Sequence, residues 1–208
     1  MARYKCGNGH IPDSGQNACL NLKRVISGIL FRAGLAVHII SRLSKTLLVA
    51  ASAFYYTLVV LNNLTDYDSN YQFVHHVLLM DSTFPGNHRM WRAIQPLWIH
   101  TAFYGLIMSW EVVSMLLIWA GTVRLLRAIG KTATLFQSAK RLAIAGLTVG
   151  MLMWFAGFLT IGGEWFLMWQ SQTWNGQDAA FRMFLVEGIV LLVLLTPELD
   201  DHERLPNS

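Results

Sequence analysis

The feature that most constrains this chain is an uninterrupted apolar segment, residues 46–64, that contains no charged residue. About 20 apolar residues are needed for a helix to cross roughly 30 Å of hydrocarbon at 1.5 Å per residue. Three further apolar segments follow at about residues 96–123, 142–163 and 179–196. The last is the weakest because it contains Arg182 and Glu187. A shorter helix whose outer arginine snorkels to the surface still fits.

The composition supports a membrane protein over a water-soluble bundle. A soluble bundle needs a polar face on each helix, but the first and third apolar segments carry no charge. Only 13% of the residues are charged and 54% are apolar, whereas average soluble domains carry about 25% charge. This excludes a disordered chain and a nucleic-acid binder, and two cysteines exclude a disulfide-rich scaffold. The sequence therefore predicts an all-α membrane protein with a four-transmembrane-helix bundle.

The positive charges predict the orientation of these helices. Lysine and arginine collect in short cytoplasmic loops of membrane proteins. They are concentrated before the first segment and between the second and third: Lys23, Arg24, Arg32, Arg42 and Lys45, then Arg124, Arg127, Lys131, Lys140 and Arg141. We therefore expect a multi-pass membrane protein with both termini cytoplasmic and two outer loops.

The two ends of the chain differ in character from this core. Residues 1–42 combine a polar leader with a basic amphipathic segment, which is expected to lie on the anionic inner leaflet. A start codon assigned too far upstream is the alternative. Cys6, His10 and Cys19 are too loosely spaced to indicate a metal site. We expect residues 43–200 to form the transmembrane domain and residues 201–208 an acidic cytoplasmic tail.

Polar residues inside the apolar segments are costly and usually face the bundle interior. His100, Tyr104 and Glu111 are spaced by 4 and 7 residues, which places them on one helix face. If the outer helix ends are level, Tyr56, Tyr104 and Glu187 lie at the same depth, roughly 12 Å in.

We therefore expect an intramembrane polar layer of Tyr56, Tyr104 and Glu187, with His100 above it and Glu111 below. Interhelical hydrogen bonds, a proton or ion path, and a ligand pocket remain alternative roles for this layer. A haem with two histidine ligands is disfavoured, because His100 is the only histidine in the four apolar segments. No cofactor is expected.

The two loops predicted to lie outside have features that plain connecting loops lack. Residues 63–92 form a long loop with helical spacing over residues 71–80. The second loop carries several tryptophans, which either form an aromatic belt at the membrane surface or fold with the first loop into a small cap. The candidate cap residues are Asn63, Asp66, His76, Asp81, Glu164, Trp165, Trp169, Asn175 and Arg182.

Two finer expectations concern the chemistry of this cap. Arg182 is expected to meet Glu164 or Asp178 at the outer surface, because it lies five residues from Glu187 and is poorly placed to pair with it. A metal site at Asp66, His76 and Glu164 is disfavoured because no tight ligand motif joins these residues. We predict neither a metal ion nor a catalytic residue.

Three stretches of the chain carry a resemblance to a known family. They are residues 45–87 with NNLTDY and MDSTFPGN, residues 91–111, and residues 157–182 with GGEWFLMWQSQTWNGQ. From about Leu43 onward the chain resembles a bacterial family of predicted small integral membrane proteins whose function is unknown. The resemblance covers some four-fifths of the chain. It implies a four-helix inner-membrane protein and no particular activity.

The function that best fits these features is that of a non-enzymatic accessory or interaction protein with an outward-facing loop cap. Its partners would be the lipid bilayer and another membrane protein or a second copy, and not a nucleic acid. One alternative is a small proton- or ion-coupled carrier that uses Glu111 and Glu187. The other is a membrane enzyme with an outer-face site around His76 and Glu164.

Overall fold

The computed structural model describes residues 13–198, which form helices and their connections without any strand. The α-helices are α1 (Asp13–Thr65), α2 (Tyr67–Leu79), α3 (Leu97–Ala128), α4 (Ala133–Ala139), α5 (Arg141–Leu152) and α6 (Gln177–Leu195). A π-helical segment, Met153–Trp165, continues α5, and two short 3-10 helices lie at Met90–Arg92 and Met168–Gln170. The first part of the predicted leader and the predicted acidic tail lie outside the described residues.

Prolines account for several of the helix boundaries. No proline interrupts the sequence between Asp13, the first described residue of α1, and Pro85. The predicted amphipathic segment and the first apolar segment therefore run together as one helix. α3 begins directly after Pro96, and α6 stops before Pro197, since a proline restricts the residue that precedes it to extended backbone. α2 begins four residues before the helix predicted at residues 71–80.

Three stretches of helix are long and apolar enough to cross a membrane: Ala36–Thr65, Leu97–Ala128 and Ala133–Trp165. They correspond to the first three predicted segments, and each extends several residues beyond the predicted segment on at least one side. α6 corresponds to the fourth, but its 19 residues include Asp178, Arg182 and Glu187, and its composition does not place it in the same class. The prediction of an all-helical fold is thus confirmed for the described residues, with three stretches that are candidates to span a membrane.

The bundle is organised around α3, which packs against α1 and α5, while α6 packs against α5 and the π-helical segment. Glycines permit the close approach of α3 and α5. A Cβ atom on Gly121 would overlap the backbone of Ala143, and one on Gly146 would lie 2.7 Å from a side-chain carbon of Ile118. Small residues at a helix crossing let the backbones approach and increase van der Waals contact in membranes.

We expect Gly121→Ala to destabilise the bundle, because the added methyl group must push α3 away from α5. Overpacking of this kind costs about 1–3 kcal/mol, measurable as the free energy of unfolding in a detergent–SDS titration. Gly105→Ala is the matched control, because an added Cβ at that position meets no atom within 4 Å. Equal stability of the two variants would contradict the close crossing.

Candidate functional site

The deepest polar cluster joins α1, the π-helical segment and α6. The hydroxyl of Tyr56 donates a hydrogen bond of 2.5 Å to Oε1 of Glu187. The indole Nε1 of Trp154 lies 3.1 Å from the same carboxylate oxygen and 3.2 Å from the Tyr56 hydroxyl. Tyr56 and Glu187 are at most 1% exposed, and Oε2 of Glu187 has no hydrogen-bond partner among the described residues. A Cβ atom on Gly150 would overlap both side chains, so a glycine is required where α5 passes them.

A second cluster lies nearer the end of α1 and contains the other intramembrane carboxylate. The side-chain amide of Asn63 donates a hydrogen bond to Oε2 of Glu111, which is 4% exposed. The hydroxyl of Tyr104 donates to the backbone carbonyl of Asn63 at 3.3 Å. Asn63 was assigned to the loop cap from the sequence, but here it joins α1 to α3 inside the bundle.

A pair of histidines joins α2 to α3. The Nδ1 atoms of His75 and His100 are 2.7 Å apart, and Nε2 of His100 lies 2.8 Å from the carbonyl of Ile94. Because a carbonyl only accepts, His100 must carry a proton on Nε2, and a neutral His100 ring then accepts at Nδ1 from His75. Burial and the neighbouring His100 ring lower the pKa of His75. The sequence analysis considered only histidines within the apolar segments. It therefore missed this pair, because His75 lies in the first predicted loop, residues 63–92.

The structure divides the predicted polar layer into these three clusters. All five of its residues are buried: Tyr56, His100, Tyr104, Glu111 and Glu187. Tyr104 contacts Asn63 rather than Tyr56, and these two positions on α1 are seven residues apart, about 10 Å along the helix. Glu111 therefore lies nearer the α2 end of the bundle than Glu187, the reverse of the expected order. The expected order assumed that the outer ends of the helices are level. In the structure, Asn63 near the end of α1 pairs with Glu111 in the middle of α3, so the ends of these two helices are offset.

The two loops predicted to lie outside are joined by direct contacts. Ser82 donates a hydrogen bond of 2.8 Å to Ser171, and the backbone nitrogen of Phe84 donates to Oε1 of Gln170 at 3.1 Å. The ring of His76 stacks on Trp174 with centroids 4.6 Å apart. α2 and residues 166–176, together with residues 80–92, form what we call the loop assembly.

The loop assembly brings together only some of the candidate cap residues. His76 and Asp81 are paired at 2.6 Å, and the carbonyl of Trp165 accepts from Arg92 at 3.2 Å. Within residues 13–198, no ion pair joins Arg182 to Glu164 or Asp178, contrary to expectation. The remaining candidates, Asp66, Glu164, Trp169, Asn175 and Arg182, are exposed, and no set of metal-binding side chains is formed within the described chain.

A fourth cluster, which sequence reasoning missed, lies at the opposite end of the bundle. One carboxylate, Glu198, binds three cations: Lys45, Lys140 at 3.0 Å and Arg42 at 3.4 Å. Both lysines also donate to the carbonyl of Thr196 at the end of α6, at 3.1 and 2.8 Å. The sequence analysis counted these cations only as orientation signals. Their burial, at most 8% exposure, arises from contacts between segments far apart in the chain.

Glu198 and the helix ends together compensate these buried charges. Arg42 donates to the carbonyls of Ile129 and Lys131, just beyond α3, and helix C-termini favour cations. Burial alone would raise the pKa of the Glu198 carboxyl, but the hydrogen bonds from Lys45 and Lys140 outweigh burial and hold the pKa below its usual range. We call this group of four side chains the cation clasp.

Comparison with known proteins identifies one family. A family model described as "Predicted small integral membrane protein (DUF2165)" matches residues 41–197, which is well over half of the chain. The match begins two residues before Leu43, in agreement with the resemblance expected from the sequence. Searches of the curated proteins and of the solved structures returned no significant match.

The Tyr56–Glu187 contact predicts a measurable coupling energy. In a double-mutant cycle of Tyr56→Phe and Glu187→Gln, we expect a coupling of about 0.6 kcal/mol and at most about 1.7, the range for hydrogen bonds within membrane bundles. Tyr55→Phe combined with Glu187→Gln is the control, because the Tyr55 hydroxyl has no hydrogen bond among the described residues. Equal coupling in the two cycles would contradict the assignment.

The cation clasp predicts acid sensitivity that depends on one residue. Because the pKa of folded Glu198 is depressed, its contribution to stability is present above its unfolded value of about 4.5 and is lost as the pH falls through the folded pKa. Glu198→Gln should cost about 3 kcal/mol of unfolding free energy at pH 7, as expected for a broken buried ion pair. The difference from wild type should shrink below pH 4.5, and a pH-independent difference would refute this role.

Proposed function

The chain belongs to the DUF2165 family of predicted small integral membrane proteins, and we propose that it is a four-span accessory protein of the bacterial inner membrane. In this proposal α6 is the fourth span and both termini are cytoplasmic. The loop assembly is an outward-facing cap, and the protein acts through a non-enzymatic contact between this cap and another membrane protein.

The contacts of α6 support its assignment as a span. Its only charge beyond the second turn, Glu187, is 1% exposed and is bound by Tyr56 and Trp154. The outward face is apolar, with exposed residues Phe181, Leu185, Val186, Ile189 and Leu192. Asp178 and Arg182 lie in the first two turns, where charged side chains can reach the interface.

The positions of the cations support the proposed orientation. The hydrogen bonds from Arg42 to the carbonyls of Ile129 and Lys131 place the basic stretch before the first span and the basic α3–α4 connection at one end of the bundle. The cation excess favours the cytoplasmic side for this end. The loop assembly, at the other end, then faces outward.

The observation that carries the proposal is the exposed aromatic pair on the loop assembly. Phe84 and Trp169 meet edge to face with centroids 5.7 Å apart, and they are 50% and 44% exposed. Each comes from a different loop, and the hydrogen bond between Phe84 and Gln170 holds the loops together at this point. Rigid exposed aromatic side chains are typical anchors of protein interfaces.

The interior of the bundle favours this role over that of a carrier. Towards the clasp from Glu187, the core is made of apolar side chains such as Ala53, Ile118 and Leu147. The hydroxyls of Ser114 and Thr122 donate to carbonyls of their own helix. Within the described part of the chain, no series of free polar groups therefore leads from Glu111 and Glu187 towards the clasp, as a proton path would require.

The cap contact can be tested by site-specific photo-cross-linking in native membranes. A photoreactive amino acid at position 84 should yield a discrete protein cross-link, and Trp169→Ala should reduce its yield several-fold by removing the neighbouring anchor. Trp98→Ala is the matched control, because Trp98 is 72% exposed in the first turn of α3, at the expected membrane surface. An equal loss in both variants, or cross-links to lipid alone, would show that these aromatics form a membrane belt.

A further inference from the structure

A cavity of about 130 Å³ lies between α2, α3 and the π-helical segment. Its walls are formed by apolar and aromatic side chains, among them Phe73, Val77, Ile107, Trp110, Phe158 and Phe166. An apolar cavity of roughly this size, about 150 Å³, stays dry in a soluble protein and binds small hydrocarbons. The cavity is thus suited to an apolar ligand.

The cavity opens towards the surface of the bundle that faces lipid. Leu106 on α3 and Ile161 on the π-helical segment line the cavity, yet they are 58% and 47% exposed. Both belong to stretches long and apolar enough to cross a membrane. The medium at the opening is therefore hydrocarbon, and the apolar group available there is the acyl chain of a lipid.

Glycines keep this space open on the π-helical side. Gly157 lines the cavity, and a Cβ atom built on it meets no other atom within 4 Å. A Cβ atom on Gly162 would lie 3.5 Å from the carbonyl oxygen of Gly157 and 3.6 Å from the terminal carbon of Met168, which are ordinary van der Waals distances. π-Helical turns are rare and occur frequently at functional sites, and this one directs two glycines to a single cavity.

A cation is fixed beside the cavity at the end nearer the membrane surface. Arg92 lies five residues before α3 begins, and its guanidinium donates to the carbonyl of Trp165, the residue next to the cavity-lining Phe166. The rings of Trp91 and Trp165 flank this guanidinium at 5.3 and 4.6 Å. The Nε atom of Arg92 is buried and has no hydrogen-bond partner among residues 13–198.

We propose that this cavity and Arg92 form a binding site for one phospholipid of the surrounding bilayer. A segment of one acyl chain enters the apolar cavity through its lipid-facing opening, and the phosphate accepts hydrogen bonds from the guanidinium of Arg92. The arrangement matches the shape of the ligand, because the cation lies towards the membrane surface and the cavity begins within the second turn of α3. Charge complementarity favours a phosphate-bearing lipid over a neutral one.

Native mass spectrometry of the full chain can test the site. Protein in a nonionic detergent is titrated with palmitoyl-oleoyl phosphatidylglycerol, and one lipid adduct is expected to survive collisional activation. Gly157→Leu should remove this adduct, because the leucine side chain fills the cavity. Gly105→Leu is the matched control, since Gly105 also lies in a candidate span with no atom within 4 Å of an added Cβ but is not part of the cavity wall.

The phosphate contact is tested separately with Arg92→Gln. Loss of a hydrogen bond to a charged group should weaken phosphatidylglycerol binding about tenfold, while binding of palmitoyl-oleoyl glycerol, which has no phosphate, should stay unchanged. Gel filtration and the thermal transition of each variant establish that it is folded.

Three results would overturn the proposal. The first is equal lipid retention by folded Gly157→Leu and Gly105→Leu. The second is the absence of a surviving adduct on the wild-type protein. The third is a wild-type preference for the neutral lipid. The cap contact is read out by cross-linking at position 84, so it can fail or succeed independently of these outcomes.

Discussion

The need to pair polar groups inside an apolar bundle is the constraint on which the arrangement of these helices depends. A polar group in hydrocarbon must find its partner within the protein, and here the partners lie on different helices. α1 is held at three heights by such contacts: by the cation clasp at one end, by Tyr56 with Glu187 in the middle and by Asn63 with Glu111 near the other end. Sliding α1 along its neighbours would break all three at once.

The two ends of the bundle satisfy their polar groups in different ways. At the clasp, long cationic side chains donate hydrogen bonds to backbone carbonyls at the ends of α3 and α6. These bonds compensate the buried positive charges and also satisfy carbonyls that have no partner within their helix. At the other end, backbone and side-chain hydrogen bonds join two loops, and aromatic rings fill the space between them. The second solution leaves aromatic residues exposed, and this end therefore offers the surfaces proposed for protein and lipid contacts.

Much of the fold could be predicted from local properties of the chain. Apolar segments with at most one acidic residue located three helices that are long enough to span, and the prolines explain several boundaries. The family assignment is confirmed by a family model that matches residues 41–197. The sequence revealed it because the loop sequences within residues 45–87 and 157–182 are specific. The candidate site was less predictable. Glu111 and Glu187 are buried, as isolated carboxylates in apolar helices usually are, whereas Asn63, which was expected in the loop cap, bonds to Glu111 inside the bundle.

The sequence by itself determined that the chain is helical, that it belongs in a membrane and which polar residues its interior must contain. These properties follow from hydropathy and helical periodicity, which act over a few turns. Only the tertiary structure decided how the polar residues pair, because pairing depends on the axial offset between helices, and no local pattern encodes that offset. The same holds for His75 with His100 and for Glu198 with its three cations, which join residues 25 to 156 positions apart.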